Sequence, residues 1–257
     1  MVRMTSTFPV LALTTALLVL CTPSFGAEVD AHHWTYGGPT GPAKWGSLEK
    51  EFSACTLGKH QSPIDIHDNA VKSADLPTID FDYKTSPLKI IDNGHSIQID
   101  YAPGSFITVG GKQYELVQFH FHKPSEEKLN GKSYDMVAHL VHKDKDGNLA
   151  VIAVLLAKGR DNPFIDTLWQ NLPKAKGHEM AVDAVKINVA DLLPANRAYY
   201  TFTGSLTTPP CSESVTWFVL KNPAPVSANE VARFAKSYPM NARPVQPLNG
   251  REIQASK

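Results

Sequence analysis

Gln118-Phe119-His120-Phe121-His122, followed by His139, places imidazoles at a spacing suited to metal chemistry. Residues i and i+2 of an extended segment point to one side, so His120 and His122 share a face and Phe119 and Phe121 share the other. A third imidazole from a neighbouring strand would complete a set able to hold Zn²⁺, with one coordination position left to water. Such an ion makes hydroxide near neutral pH. Three neutral nitrogens without a carboxylate favour zinc over iron. A His-x-His pair alone also fits a cupin-type site or coincidence; the third histidine narrows it. His142, three residues beyond His139, would face the other way. Gln118 shares the face of His120, where its amide oxygen can accept the ring N–H not used for metal.

A second signal is Gly204-Ser205-Leu206-Thr207-Thr208-Pro209-Pro210. Two prolines remove two backbone donors and stiffen the loop, which can then hold a threonine hydroxyl at a fixed angle. Alone, the segment is an ordinary turn.

These residues need a sheet. Strand patterns occur at Leu88 to Ile91, Ser96 to Tyr101, Phe106 to Val109, Tyr114 to His122, Met136 to His142, Leu149 to Ala157, Tyr199 to Thr203 and Val215 to Leu220. Turn signals such as Asn93-Gly94, Gly110-Gly111, Asn130-Gly131 and Asp146-Gly147 separate them. Ala150 to Ala157 is apolar on both faces and reads as a central strand. If the strands ending at His122 and His142 pair antiparallel, His139 faces the first two histidines. Two helices are expected. One opens at Asn162-Pro163 and runs to about Leu172. The other starts at Ser227, with a capping box to Glu230 and a Val226/Val231 staple. Ala31 to Pro63 lacks periodicity and reads as irregular structure held by Trp34 and Trp45. Strands dominate, helices are peripheral, and nothing divides the body.

The chain has 257 residues and zero formal charge, which calls for neither nucleic acid nor an anionic membrane. Arg3, an apolar run from about Phe8 to Cys21 and the small residues to Ala27 read as a signal peptide, residues 1–26, cleaved after Gly26. The run is short for a membrane span, and Leu20 before Cys21 fits a lipoprotein poorly. Residues 27–257 then form one exported domain, periplasmic or secreted. Its two remaining cysteines, Cys55 and Cys211, read as one disulfide, the alternative being two separate buried thiols.

His120-Phe-His122, His139-Leu-Val-His142 and Gly204-Ser-Leu-Thr-Thr-Pro-Pro210 together resemble the α-class carbonic anhydrases. His33-Trp-Thr-Tyr-Gly37, Gln61-Ser-Pro-Ile-Asp-Ile66, Asn93-Gly-His95, Val215-Thr-Trp217 and Asn241-Ala-Arg-Pro-Val-Gln-Pro-Leu248 extend the likeness from about residue 32 to 255, in the family's order. The resemblance implies a mainly β (α+β) fold: a large twisted, mostly antiparallel central sheet of about ten strands, with peripheral helices and a zinc site in a central cone. It implies one Zn²⁺ per chain on His120, His122 and His139, whose bound hydroxide attacks CO₂ to give bicarbonate.

By the same resemblance Thr207 orients that hydroxide and passes its own hydrogen to Glu126, while Glu127 reads as a surface neighbour. Thr208 contacts bicarbonate. Val141, Val151, Leu206, Val215 and Trp217 form the apolar CO₂ wall. His95 is the proton shuttle, suited by an imidazole's pKa near 6.5. Tyr36, Asn93 and Gln98 line the solvent path. Cys55–Cys211 matches the disulfide of secreted members, and Ser62–Pro63 and Pro209–Pro210 are expected cis. The remaining histidines read as structural or surface. Bacterial relatives leave a homodimer open by analogy.

One position departs from the family pattern. Family members often carry Glu two residues before the third histidine, where this chain has Val137. Valine accepts no hydrogen bond, so His139 must use water, a backbone carbonyl or another side chain. A non-catalytic binding protein on the same fold, and a zinc-dependent esterase, are the alternatives to a carbonic anhydrase.

Overall fold

Eight strands frame the site: β1 Ser86–Asp92, β2 Ile97–Asp100, β3 Lys112–His122, β4 Met136–Lys143, β5 Leu149–Lys158, β6 Glu179–Ile187, β7 Tyr199–Ser205 and β8 Glu213–Leu220. They were located in a computed structural model that describes residue 1 and residues 33–257. The proposed leader and its cleavage point lie outside the described residues. The chain divides into Met1–Asp30, of which only residue 1 is described, and Ala31–Lys257, which carries every element named here.

The eight strands lie in one thirteen-stranded sheet in the order β6-β1-β2-β3-β4-β5-β8-β7, continued by Gln254–Ala255 and Lys72–Ser73. The sheet is larger than the expected ten strands and is mixed. Most neighbours run antiparallel, but β5 pairs parallel with β8 and with Ala224–Val226. The unforeseen strands are short, except β6. That strand carries charges, is largely exposed, and pairs only along β1 at the end of the sheet, so it shows no clean alternation. The expected central strand is β5, buried along most of its length. A separate small sheet joins Asp65–Ile66 to Lys128–Leu129 and Lys132–Ser133.

Register decides which residues share a face. Across β3 and β4, His139 lies opposite His120 and Val137 opposite His122. Gln98 of β2 lies opposite His120 on its other side. Directly opposed residues in antiparallel strands point the same way, so all three histidines occupy one face. The reverse face carries Phe119, Phe121, Ala138 and Leu140, sealed by helices α1 (Pro163–Gln170) and α2 (Ala228–Ser237). Phe121 meets Trp169 edge-on at 5.0 Å. Each such large apolar side chain contributes about 1.5–3 kcal/mol on burial. This core braces the strand that carries His120 and His122.

Asn162 caps α1 through its side-chain oxygen, and Ser227 with Glu230 forms the expected capping box of α2. Helix α1 stops at Gln170 rather than at Leu172, because Pro173 disfavours helical backbone in the residue before it. Residues 38–57, expected to be irregular, contain four short helical turns packed around Trp45.

His142 points into the core, with its Nε2 2.8 Å from the Tyr83 hydroxyl. Burial pushes its pKa down to about 3, against the pull of the Leu140 and Ala150 carbonyls. The imidazole is therefore neutral in the folded chain but takes a proton near pH 6.5 once unfolded. Its contribution to stability is complete above about pH 6.5 and declines as the pH falls towards 3. Urea unfolding between pH 7 and pH 4.5 should show stability falling with acid. The slope should be shallower in His142→Gln by up to about 1.4 kcal/mol per pH unit, one proton's worth.

Candidate metal centre

Each of the three histidines has one ring nitrogen held by a hydrogen bond and the other free. His120 donates from Nδ1 to Gln118 Oε1 at 2.8 Å, as its position two residues upstream suggests. His122 donates from Nδ1 to the Asn241 carbonyl at 2.7 Å. His139 donates from Nε2 to Glu127, whose two oxygens lie at 3.0 and 3.1 Å. The nitrogens left over are Nε2, Nε2 and Nδ1.

One ring nitrogen from each histidine lies within 4.8 Å of the others. That is wider than a closed zinc site with bonds of about 2.0–2.1 Å. His122 Nε2 is buried without a partner, as is Glu126 Oε2 beside it. Buried polar atoms without partners are rare and costly, and a cation among these nitrogens would satisfy the imidazole. Three imidazoles and no carboxylate in the ligand set match zinc. The residues present therefore fit the ion.

The electrostatics agree. Burial, then the neighbouring His139, holds His120 down at about pKa 3. Burial, then His139 and His120, holds His122 well below its usual value. Both are thus neutral, as ligands must be. For His139 burial acts in the same sense, but Glu127, by charge and hydrogen bond, and then Glu126 outweigh it and raise the pKa. Burial pushes Glu126 up to about 7, with His139, the Thr207 hydroxyl and the Arg243 amide pulling it down and Glu127 pushing it up.

Three of these partners depart from the sequence reading. Glu127 is fully buried rather than a surface neighbour, and it supplies the acceptor that Val137 cannot. A pair of adjacent glutamates looks like a solvated turn, and no periodicity marks it as internal. Asn241 acts on His122 through its main chain, which no residue type announces. Its side chain also bonds the His95 and Phe121 carbonyls and the Lys123 amide. Arg243 had no assigned role either. Its backbone N–H donates to Glu126 Oε1 at 2.7 Å.

Thr207 is buried close to Glu126. Its loop is tied down at several points. Ser62 and Ser205 exchange hydrogen bonds between each hydroxyl and the other's amide. A Cβ at Gly204 would lie 2.1 Å from Ser62 Oγ, so only glycine allows this approach. Cys211 is joined to Cys55 across 156 residues. The Arg243 guanidinium bonds Gln61, Ser62 and Cys55 together. Ser62–Pro63 and Pro209–Pro210 are cis, and Lys123–Pro124 is cis as well.

Val141, Val151, Leu206, Val215 and Trp217 meet in one apolar cluster, and Trp217 stands edge-on to His139 at 4.9 Å. Thr208 lies next in the loop, partly exposed. Tyr36 presents a buried hydroxyl without a partner. Asn93 donates to Gln98 at 3.2 Å, and Gln98 to Asp100 at 2.7 Å. His95 stacks on Trp34 with ring centroids 3.6 Å apart, and on His33 at 4.9 Å. Burial, then His33 and Lys176, lowers its pKa to about 4.

Fold and site together define a class: a three-imidazole centre in a large mixed sheet, backed by a buried glutamate and a threonine on a braced loop. Residues 40–257 match the family model described as eukaryotic-type carbonic anhydrase. The chain is 41% identical over 230 residues to a carbonic anhydrase of Nostoc sp., covering 88% of this chain and 87% of that protein. It is 41% identical over 248 residues to one from Neisseria gonorrhoeae, covering 94% and 95%. Among solved structures it matches the α-carbonic anhydrase of Thermovibrio ammonificans in complex with sulfanilamide. The TM-score there is 0.83, with 42% identity and coverage of 86% and 98%. The chain belongs to the eukaryotic-type, or α, carbonic anhydrase family.

Because desolvation is the main cause of the low His95 pKa, removing the stacked indole should reverse it. In Trp34→Ala, NMR titration of the His95 ring should give a value raised from about 4 towards 6.5. An unchanged midpoint would mean that the stack is not its source.

Proposed function

We propose that this chain catalyses the reversible hydration of CO₂ to bicarbonate and a proton, with one zinc ion held by His120, His122 and His139. The observation that carries the reading is the set of three converging imidazoles, each with its second nitrogen already occupied. Zinc, when bound, supplies the Lewis acidity that makes a nucleophile of water near neutral pH, an established property of carbonic anhydrases.

The chain's own residues do the rest. Glu126 accepts the Arg243 N–H on Oε1 and, as a carboxylate, only accepts. The Thr207 hydroxyl must therefore donate to it, which leaves the threonine oxygen free to accept a hydrogen from the nucleophile and aim its lone pair. Val141, Val151, Leu206, Val215 and Trp217 offer uncharged CO₂ an apolar surface. That surface gives anionic bicarbonate little to hold it, and Thr208 meets the product at the rim. The remaining proton passes through water beside Tyr36, Asn93 and Gln98 to His95, whose ring must be free of the Trp34 stack to titrate near pH 7.

The disulfide, a bond of oxidising compartments, supports reading residues 1–26 as a leader and residues 27–257 as a periplasmic or secreted domain. Among the described residues no helix is long and apolar enough to cross a membrane.

Stopped-flow CO₂ hydration, with zinc content measured on the same sample, tests the activity. Chelation of zinc and His122→Ala should each abolish hydration, and full activity in the metal-free protein would sink the proposal. Thr207→Ala should keep its zinc and lose on the order of 10²-fold in kcat/KM, the cost of a lost preorganised hydrogen bond.

A further inference from the structure

Glu127 is a fully buried acidic side chain whose carboxylate has one hydrogen-bond partner among the described residues, the Nε2–H of His139. Taking a carboxylate out of water costs several kcal/mol unless its partners repay it, so an acid kept at such a point has one task visible in its contacts. The strand carrying His139 offers no alternative. Val137 lies on the same face two residues upstream, fully buried, opposite His122 and within the apolar cluster. An acceptor there could face the ring, but an isopropyl group cannot serve.

The loop from Lys123 to Glu127 supplies the acceptor instead. It is anchored at both ends. Asn241 Oδ1 accepts from the Lys123 amide at 2.7 Å. Ser125 Oγ donates to the Glu127 carbonyl at 2.7 Å and accepts from the Tyr134 amide at 2.8 Å. The two consecutive carboxylates thereby bracket one imidazole, Glu126 Oε2 lying 3.8 Å from Nδ1 and Glu127 3.0 Å from Nε2.

We propose that Glu127 is the positioning residue of the third metal ligand, and that it does from the loop the work for which the ligand's own strand has no acceptor. It fixes the proton of His139 on Nε2, turns Nδ1 towards the other two free nitrogens and makes that nitrogen a better donor. One loop then serves both halves of the chemistry: residue 126 orients through Thr207, and residue 127 retains the metal. The inference rests on the zinc-dependent reading above and deepens it.

The test is zinc release from the loaded full chain into excess chelator, followed beside the proton NMR signal of the His139 Nε2–H. Glu127→Ala should release zinc about 10- to 100-fold faster, the range found for such partners in metal sites, carbonic anhydrase among them. It should also lose the protected ring N–H signal. Glu127→Gln, equal in volume and without the charge, should release zinc faster by a smaller factor, and it is read in the same way if the alanine variant does not fold. Adding Val137→Glu to Glu127→Ala returns a carboxylate from the strand, and should restore slow release. Zinc release at the wild-type rate from Glu127→Ala, or persistence of its ring signal, overturns the inference. So does a double variant that melts like the wild type yet still sheds zinc quickly. A wild-type protein that binds zinc at the three histidines but leaves CO₂ unhydrated would sink the proposed activity and leave this inference standing.

Discussion

The structure depends on one constraint: each imidazole has two nitrogens, and one of them must be occupied for the other to be aimed. Gln118, the Asn241 carbonyl and Glu127 each take one ring N–H. Those three hydrogen bonds set the tautomers, and the tautomers set which nitrogens face one another. Without them the rings would share a face of the sheet and still present mixed donors and acceptors to the centre.

The three acceptors come from different levels of structure. Gln118 lies on the same strand as its histidine, and the pleat alone brings them together. Asn241 arrives from a segment 119 residues away, held there by its own side chain against the backbone of residues 95, 121 and 123. Glu127 comes from the loop that leads from β3 into the small sheet at Lys128–Leu129. The frame beneath them is rigid because its other face is packed with aromatic and aliphatic side chains sealed by two capped helices. The loop carrying Thr207 is held for a different reason. A disulfide and a serine pair that only glycine lets approach tie it to the segment from Cys55 to Ser62, whose residues one guanidinium holds together. Because Arg243 also gives its amide to Glu126, the threonine and its carboxylate are braced by the same residues.

His95 shows how position and chemistry can diverge. An imidazole is the right group for moving protons near neutral pH, yet stacked against Trp34 it is desolvated and its affinity for a proton falls. Glu126 is desolvated too, and there burial favours the neutral acid. A bound cation would oppose burial at Glu126, keeping that carboxylate charged, and would reinforce it at His120 and His122, keeping those rings neutral.

Local pattern determined a good deal. Two histidines at i and i+2 with phenylalanines between them specify a strand with one chemical and one apolar face, because side-chain alternation is a property of the backbone itself. Other signals of equally short range found Gln118, the central strand and the starts of both helices, all of which depend on neighbours within a few residues. Tertiary structure decided the rest. That β3 and β4 pair with His139 opposite His120 is a matter of register. That the sheet grows to thirteen mixed strands depends on short segments with too few residues to show a period. Glu127 illustrates the difference most sharply. In the sequence it is one of two charged neighbours after Pro-Ser, the composition of a surface turn. Only the closure of its loop over β4 buries it against His139, because burial belongs to the assembled chain and not to any residue's type.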